Sequence, residues 1–343
     1  MHEPLVSVLM PAYNCENYVG EAIRAILGQA FTDFEFIIIN DGSTDNTKGV
    51  IQQFSDMRIR FYENEFNSGI IKTLNRGLDL AKGKYIFRTD ADDIGLPDML
   101  GSLTGFMEQQ QDYVICGGNM QLIGSDKIFS YLPDNENLKV YTLNACPFSH
   151  STVIFRKKII DDKQLRYRET MKHGEDHALW SEFLPYGKFH NLDKVTLLYR
   201  ESPGQVTATS GYQAQYNSVQ EKIFAFHAKT YFDLSEEDTA HYIKLITTGK
   251  IISLDELNKL GEIMLHVQAH NAESRLFSPR LLRKMLFIKW HWICFNSYDL
   301  GRHVFGIYFK YLSGSKNLLR LKSLSIHCIK MIQSKKQKSV SVF

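Results

Sequence analysis

Lys84-Tyr85-Ile86-Phe87-Arg88-Thr89-Asp90-Ala91-Asp92-Asp93 reads as a short apolar strand that runs out into three carboxylates. Carboxylates this close repel one another, and a hard divalent cation with oxygen ligands relieves the repulsion. The same cluster also suits a solvated turn or the first turn of a helix, where Asp is a good cap. The surrounding chain separates the two readings.

Upstream, Leu5 to Met10 is an apolar run closed by Pro11, suited to a strand buried on both faces. Asn14 to Asn17 turn the chain, and Val19, Ala22, Ile23, Ile26 and Leu27 then recur at helical spacing. Phe34 to Asn40 is a second strand leading into Asp41-Gly42-Ser43-Thr44-Asp45, and Arg58 to Tyr62 is a third. Lys84 to Thr89 is a fourth strand and Tyr113 to Cys116 a fifth, with helices expected over Ile70 to Ala81 and Pro97 to Gln111. Strands alternating with helices predict an α/β fold, a parallel sheet wound with helices on both sides. Ligands of such sheets bind beyond the carboxyl ends of the strands. Pro11-Ala12-Tyr13, Asp41-Gly42-Ser43 and Asp90-Ala91-Asp92 all fall there, which favours the cation reading of the acidic run.

After Gly118 the pattern shortens. Met120 to Ile123 and Lys127 to Leu132 flank the turn sequence Gly124-Ser125-Asp126. Pro147-Phe148-Ser149-His150 leads into a strand over Ser151 to Arg156. His173-Gly174-Glu175-Asp176-His177 opens a helix through Leu179, Trp180 and Phe183, and Val195 to Tyr199 is one more strand. Beyond Gly211 the chain reads as mainly helical.

These residues together resemble glycosyltransferase family 2, inverting enzymes of the GT-A fold, over residues 4 to about 210. Val6 to Asn14 resembles the family's opening strand and loop, and Ile39 to Asp45 its nucleotide loop. Asn67-Ser68-Gly69 with Leu74-Asn75-Arg76-Gly77 resembles the next helix entry, Asp90-Ala91-Asp92-Asp93 the DxD metal motif, and Glu175-Asp176 the ED pair. Each match alone is weak, but five in order are specific. The resemblance implies a Rossmann-like wound sheet with a catalytic domain over 1–210, its nucleotide-sugar part over 1–118 and its acceptor part over 119–210. A helical, basic and aromatic region over 211–343 follows.

The resemblance also implies roles. Mn²⁺ or Mg²⁺ acts as a Lewis acid on the departing diphosphate of a UDP-sugar, with Asp92 as direct ligand and Asp90 on the metal or ribose. Asp93 is expected to cap the following turn. Pro11, Ala12, Tyr13 and Asn14 would line the nucleotide pocket, with Tyr13 stacking on the base or merely covering the core edge. Asp41 would accept from base or ribose, or form an Asx turn over Gly42; Asn67, Gly69, Arg88 and Ala91 join the nucleotide side. Arg88 either pairs with phosphate or holds Asp90 by a salt bridge.

Inversion needs a base opposite the leaving group. Asp176 fits that role, at a helix start where the dipole favours negative charge. Glu175 orients it or binds the acceptor, and His150 lines the acceptor side or is structural. His173 and His177 have no zinc-site spacing. Where many relatives place a histidine after the last strand, this chain has Glu201-Ser202-Pro203-Gly204-Gln205, which leaves Arg200 or water to complete a metal site.

The formal net charge is +2, but residues 279–343 hold thirteen Lys or Arg against Asp299 alone, a net +12 that leaves −10 for the rest. Between Leu281 and Leu312 aromatic residues interleave with cations, as in a helix on an anionic membrane surface or a helical subdomain with solvated charges. No nucleic-acid module is recognisable. Five scattered cysteines without a CxxC pair suit free thiols in a cytosol. The start, Met1-His2-Glu3-Pro4, shows no leader pattern, and no uncharged apolar run approaches a membrane span. The expected setting is cytoplasmic, peripheral on the inner membrane face where the acceptor is a lipid-linked saccharide. The rivals are a noncatalytic sugar-nucleotide-binding or scaffold protein and a sugar nucleotidyltransferase, whose glycine-rich phosphate loop ending in Thr-Arg is missing here.

Overall fold

A computed structural model describes residues 3–202 and 210–311. β1 (Val6–Ala12), β2 (Phe34–Asn40), β3 (Ile59–Glu63) and β4 (Tyr85–Arg88) are parallel, in the order β3-β2-β1-β4. Every residue of β1, β2 and β4 is buried, which is why apolar side chains stand at consecutive positions rather than alternate ones. α1 (Val19–Leu27) and α4 (Met99–Gln109) bury Ile23, Ile26, Met99 and Leu103 on one face with Val8, Met10 and Phe36. α3 (Ile70–Leu80) buries Leu74 and Leu78 on the other with Leu9, Ile37 and Ile86.

Beyond β4 the sheet is mixed, whereas the strand–helix alternation up to Cys116 predicts a parallel one. β8 (Ile154–Arg156) lies antiparallel between β4 and β6 (Tyr113–Leu122), β9 (Lys188–Tyr199) runs parallel to β6, and β5 (Ile94–Gly95) is antiparallel at the edge. Alternation and length reveal a strand but not its direction, and β8 is only three residues long. The expected strand at Ser151 begins instead with a single 3-10 turn over His150–Thr152.

β6 also continues through Gly117-Gly118, where the sequence predicts a strand ending at Cys116, and its register to β9 shifts on either side of Asn119. A Cβ at Gly117 would lie 2.3 Å from Asn191 Oδ1, and one at Gly118 2.5 Å from Thr196 Oγ1, so these glycines permit close approach of β9. Of the expected hairpin partner, only β7 (Ile128–Phe129) pairs with β6. Three short helices escaped the sequence pattern: α2 (Thr47–Ile51), α5 (Asn135–Thr142) and α6 (Lys157–Lys163).

α7 (Glu175–Phe183) precedes β9, and among the described residues five α-helices follow it: α8 (Tyr212–Phe232), α9 (Glu236–Thr247), α10 (Leu254–Ser274), α11 (Pro279–Asn296) and α12 (His303–Lys310). Their Phe224, Phe232, Tyr242, Trp290 and Tyr308 belong to the same apolar core as Leu74, Phe155, Trp180 and Phe183. Part of the aromatic stretch is thus packed inside, as one of the two readings has it. Trp292 (52%) and Phe309 (48%) remain exposed, as the other requires. The turn at Pro203-Gly204 and the tail beyond Tyr311 lie outside the described residues. No helix among the described residues is long and apolar enough to cross a membrane.

Candidate active site

The strand order reverses at β1, and a missing donor opens the sheet there. Leu5 and Leu9 accept from Tyr85 N and Thr89 N, both at 3.1 Å, so these residues turn their backbone polar groups toward β4. Pro11, two positions on, faces the same way and has no N–H, and the last β1–β4 pair is Leu9 with Arg88. The strands part beyond it. Toward β2 the edge stays closed: Asp41 N donates to Ala12 O at 2.8 Å, Thr44 N donates to Asn14 Oδ1 at 2.9 Å, and Asn14 N to Ser43 Oγ at 3.0 Å. Pro11 and Ala12 are buried, while Tyr13 is 47% exposed at the mouth.

Asp41, at the end of β2, does not form the expected Asx turn over Gly42. One oxygen accepts from Asn64 Nδ2 (2.6 Å) and Ser68 N (2.9 Å), the other from Gly69 N (2.9 Å). The buried carboxylate thereby pins the loop before α3 against the sheet. A carboxylate offers roughly four lone-pair sites, so one acceptor position remains. Asn67 Oδ1 is used locally, accepting from Gly69 N at 3.0 Å. Gly69 has φ +88° and a Cβ there would meet nothing, so the backbone shape demands glycine and leaves the space above it open.

In the acidic run, Arg88 makes a fork onto Asp90, Nη1 to Oδ2 at 2.6 Å and Nη2 to Oδ1 at 2.5 Å, and Ser151 Oγ donates to the same carboxylate at 2.5 Å. Arg88 is buried, and this fork is the salt bridge to Asp90 that one of its two expected roles describes. Asp93 departs from the capping role: it is buried, and Oδ1 accepts from Arg200 N at 3.1 Å. Arg200 Nε donates to Asp92 O at 2.9 Å and Nη2 to Glu21 Oε2 at 2.6 Å, which makes it a clamp on the motif instead of a substitute metal ligand. Ser202 Oγ donates to Asp92 Oδ2 at 3.2 Å.

Burial and then Asp90 hold the Asp92 carboxyl above the usual range. The same two causes, with Asp92 added, push Asp93 up to about 7. Asp93 Oδ2 has no hydrogen-bond partner among the described residues. Three carboxylates, of which only Asp90 is paired with a guanidinium among the described residues, and one buried oxygen orphaned fit a divalent cation. Among the described residues no three His, Cys, Asp or Glu side chains converge as a ready metal cage. The cation would therefore take one or two carboxylates, Asp92 foremost because Asp90 is engaged, and complete its shell with diphosphate oxygens and water, the usual mode for Mg²⁺.

α7 brings in the other acids. Glu175 and Asp176 form the first turn of α7; Glu175 Oε2 accepts from His173 N at 2.8 Å, and Asp176 Oδ1 from His177 N at 2.7 Å. Cys146 Sγ donates to Asp176 Oδ2 at 3.3 Å. Burial and then Asp176 push Glu175 up to about 6. His150 Nε2 pairs with Tyr167 OH at 2.9 Å, and burial followed by Arg88 drives its pKa well below the ordinary value, so the ring is neutral. Burial raises the Tyr167 phenol, and Arg88, Asp176, Glu175 and Asp90 all act on it in turn. Asn75 of the third motif fixes that tyrosine with paired bonds, Asn75 Nδ2 to Tyr167 O at 2.8 Å and Tyr167 N to Asn75 Oδ1 at 3.0 Å. Charges from both acidic clusters thus act on the same two side chains, Arg88 and Tyr167. Sequence reasoning missed Ser151, Tyr167 and Cys146, which sit in no acidic or glycine-rich motif.

A family model described as glycosyl transferase family 2 matches residues 7–163. An uncharacterised glycosyltransferase of Haemophilus influenzae is 28% identical over 302 residues, 84% of this chain and 91% of its own length. The Escherichia coli protein WfaP, named a UDP-Glc:alpha-D-GlcNAc-diphosphoundecaprenol beta-1,3-glucosyltransferase, is 30% identical over 217 residues, 60% of this chain and 80% of its own length. Among solved structures, residues 1–349 of Staphylococcus aureus TarS in complex with UDP-GlcNAc superpose with a TM-score of 0.59 at 19% identity, covering 83% of this chain and 89% of that one. That likeness is of fold, GT-A type with a helical C-terminal region.

Proposed function

The chain belongs to glycosyltransferase family 2 and is a glycosyltransferase, and from that premise we propose that it moves a hexose or N-acetylhexosamine from a UDP-sugar to a saccharide hydroxyl with inversion, assisted by a divalent cation. What supports this most is that Asp90 of the first acidic run and Glu175 of the second act on the same two side chains, Arg88 and Tyr167. In this reading the crevice beside Pro11 and Tyr13 takes the uridine, with the free lone pair of Asp41 turned to base or ribose. Asp92 holds the cation, which offsets charge on the departing diphosphate. Asp176 Oδ2 takes the acceptor's proton; the weak Cys146 donor is readily displaced by an incoming hydroxyl. Arg88 keeps Asp90 neutralised so that charge does not accumulate between the two acids.

WfaP's name carries a UDP-glucose donor and a lipid-diphosphate-linked acceptor, and a lipid-linked saccharide in surface glycan assembly is the acceptor proposed here. The described surface supports it. α11 exposes Ile288 and Trp292 together with Arg280, Arg283 and Lys284, α12 adds Phe309, and no acid lies on α11. Apolar rings amid uncompensated cations suit the anionic inner face of a cell membrane. Flotation with anionic liposomes at low salt is the check, and absence from the floating fraction would remove the membrane from the reading.

The test of the reaction is a donor screen that follows UDP release with Mn²⁺ and with chelator, with the anomeric configuration of the product read by NMR. Release that needs the cation and an inverted linkage are expected. A retained linkage would sink the assignment of Asp176 as base, and UDP binding with no turnover of any donor would favour a noncatalytic binder.

A further inference from the structure

α8 lies across the start of α7. A Cβ on Gly174 would meet Val219 Cγ1 at 2.8 Å, His177 Nδ1 lies 3.0 Å from Gln220 Oε1, and Ala178 packs with Val219 and Ile223. Those α8 residues form one stripe, and stepping back along it at helical spacing reaches Tyr216 and then Tyr212. The two rings therefore overhang the turn that presents Glu175 and Asp176. They stack on each other with centroids 5.8 Å apart and planes 22° apart. Tyr212 also meets His173 edge-on at 5.3 Å, the residue whose N–H is bonded to Glu175.

Neither tyrosine belongs to an apolar core cluster, and both are half-buried. Packing alone does not account for two stacked aromatic rings beside an acid. Burial, then Cys146 and Asp176, push the Tyr216 phenol up to about 12, so it stays neutral at working pH. A pyranose has an apolar face of C–H groups, a match for the π face of a neutral ring.

The geometry points to Tyr212 and Tyr216 as a stacking platform for a pyranose ring of the acceptor, holding it with a rim hydroxyl toward Asp176. This rests on the reading of Asp176 as base and adds the ligand class that α8 recognises. The platform is binding that ground state and transition state share, so its loss raises KM and leaves kcat nearly unchanged.

The experiment titrates the full chain, loaded with UDP and Mn²⁺, with N-acetylglucosamine α-linked through diphosphate to a short alkyl chain. Tyr212→Ala and Tyr216→Ala should each weaken probe binding at least about tenfold and raise acceptor KM in step, with UDP affinity unchanged; Tyr216→Phe should bind as wild type. Unchanged probe affinity in the double Ala variant overturns the platform. So does a parallel fall in UDP affinity, which would make α8 a general support, or no binding of the probe to wild type. Asp176→Asn separates the two ideas: full turnover in it overturns the base, whereas the platform stands or falls on probe affinity.

Discussion

In the proposed reaction the donor and acceptor sides of the crevice are built on different plans. On the donor side each functional residue stands at the end of a parallel strand: Pro11 and Ala12 on β1, Asp41 after β2, Asp90 to Asp93 after β4. On the acceptor side the parts come from a loop and two helices that meet by packing, Cys146, Asp176 on α7 and Tyr212 and Tyr216 on α8. A strand end fixes a ligand position by backbone hydrogen bonds within the sheet. A helix crossing fixes one by the packing of side chains. The first plan suits a nucleotide common to many reactions, and the second suits an acceptor that differs between them.

The largest effects should come from Asp92 and Asp176, the two acids to which the proposed reaction assigns cation and base. Asp92→Asn and Asp176→Asn should each lower kcat by roughly 10²–10⁴ with unchanged melting. Only Asp92→Asn should also weaken UDP binding in the presence of Mn²⁺, and calorimetry that found both weakened equally would erase the division between the sides. Next, Asp41→Asn turns a donor toward Ser68 N or Gly69 N, which costs about 1–3 kcal/mol or roughly tenfold to a hundredfold in UDP affinity, with probe binding untouched. Cys146→Ala removes one weak bond to Asp176 and should lower turnover only several-fold, with UDP affinity constant.

The smallest effect concerns stability. Glu175 is raised to about 6 by burial and then by Asp176, so the folded chain keeps a proton that the unfolded chain has released. That contribution is fully present below the unfolded pKa and is lost as pH rises through 6. Glu175→Gln, which cannot ionise, should therefore melt higher than wild type at pH 8, by roughly 1–2 kcal/mol, and converge with it near pH 4.5. A constant gap across that range would mean that ionisation of Glu175 is not the cause.

The contrast of plans also explains what the amino-acid pattern reveals. Pro11, Asp41 and Asp92 are legible because their neighbours in sequence are the strand that positions them. Arg200 is not, since its targets Asp92, Asp93 and Glu21 lie far off along the chain and only the β5–β9 pairing brings them near. Tyr212 and Tyr216 read as ordinary helix residues until α8 is laid on α7. Gly117-Gly118 mislead for the same reason: their smallness answers Asn191 and Thr196, partners contributed by another strand.

Trp180 and Phe155 beneath the sheet share one core with Phe232 and Trp290 of the helices. Chimeras that exchange the helical half between relatives to redirect acceptor choice will consequently inherit a mismatched seam, and each graft will need compensating changes around Trp180 before its new preference can be measured.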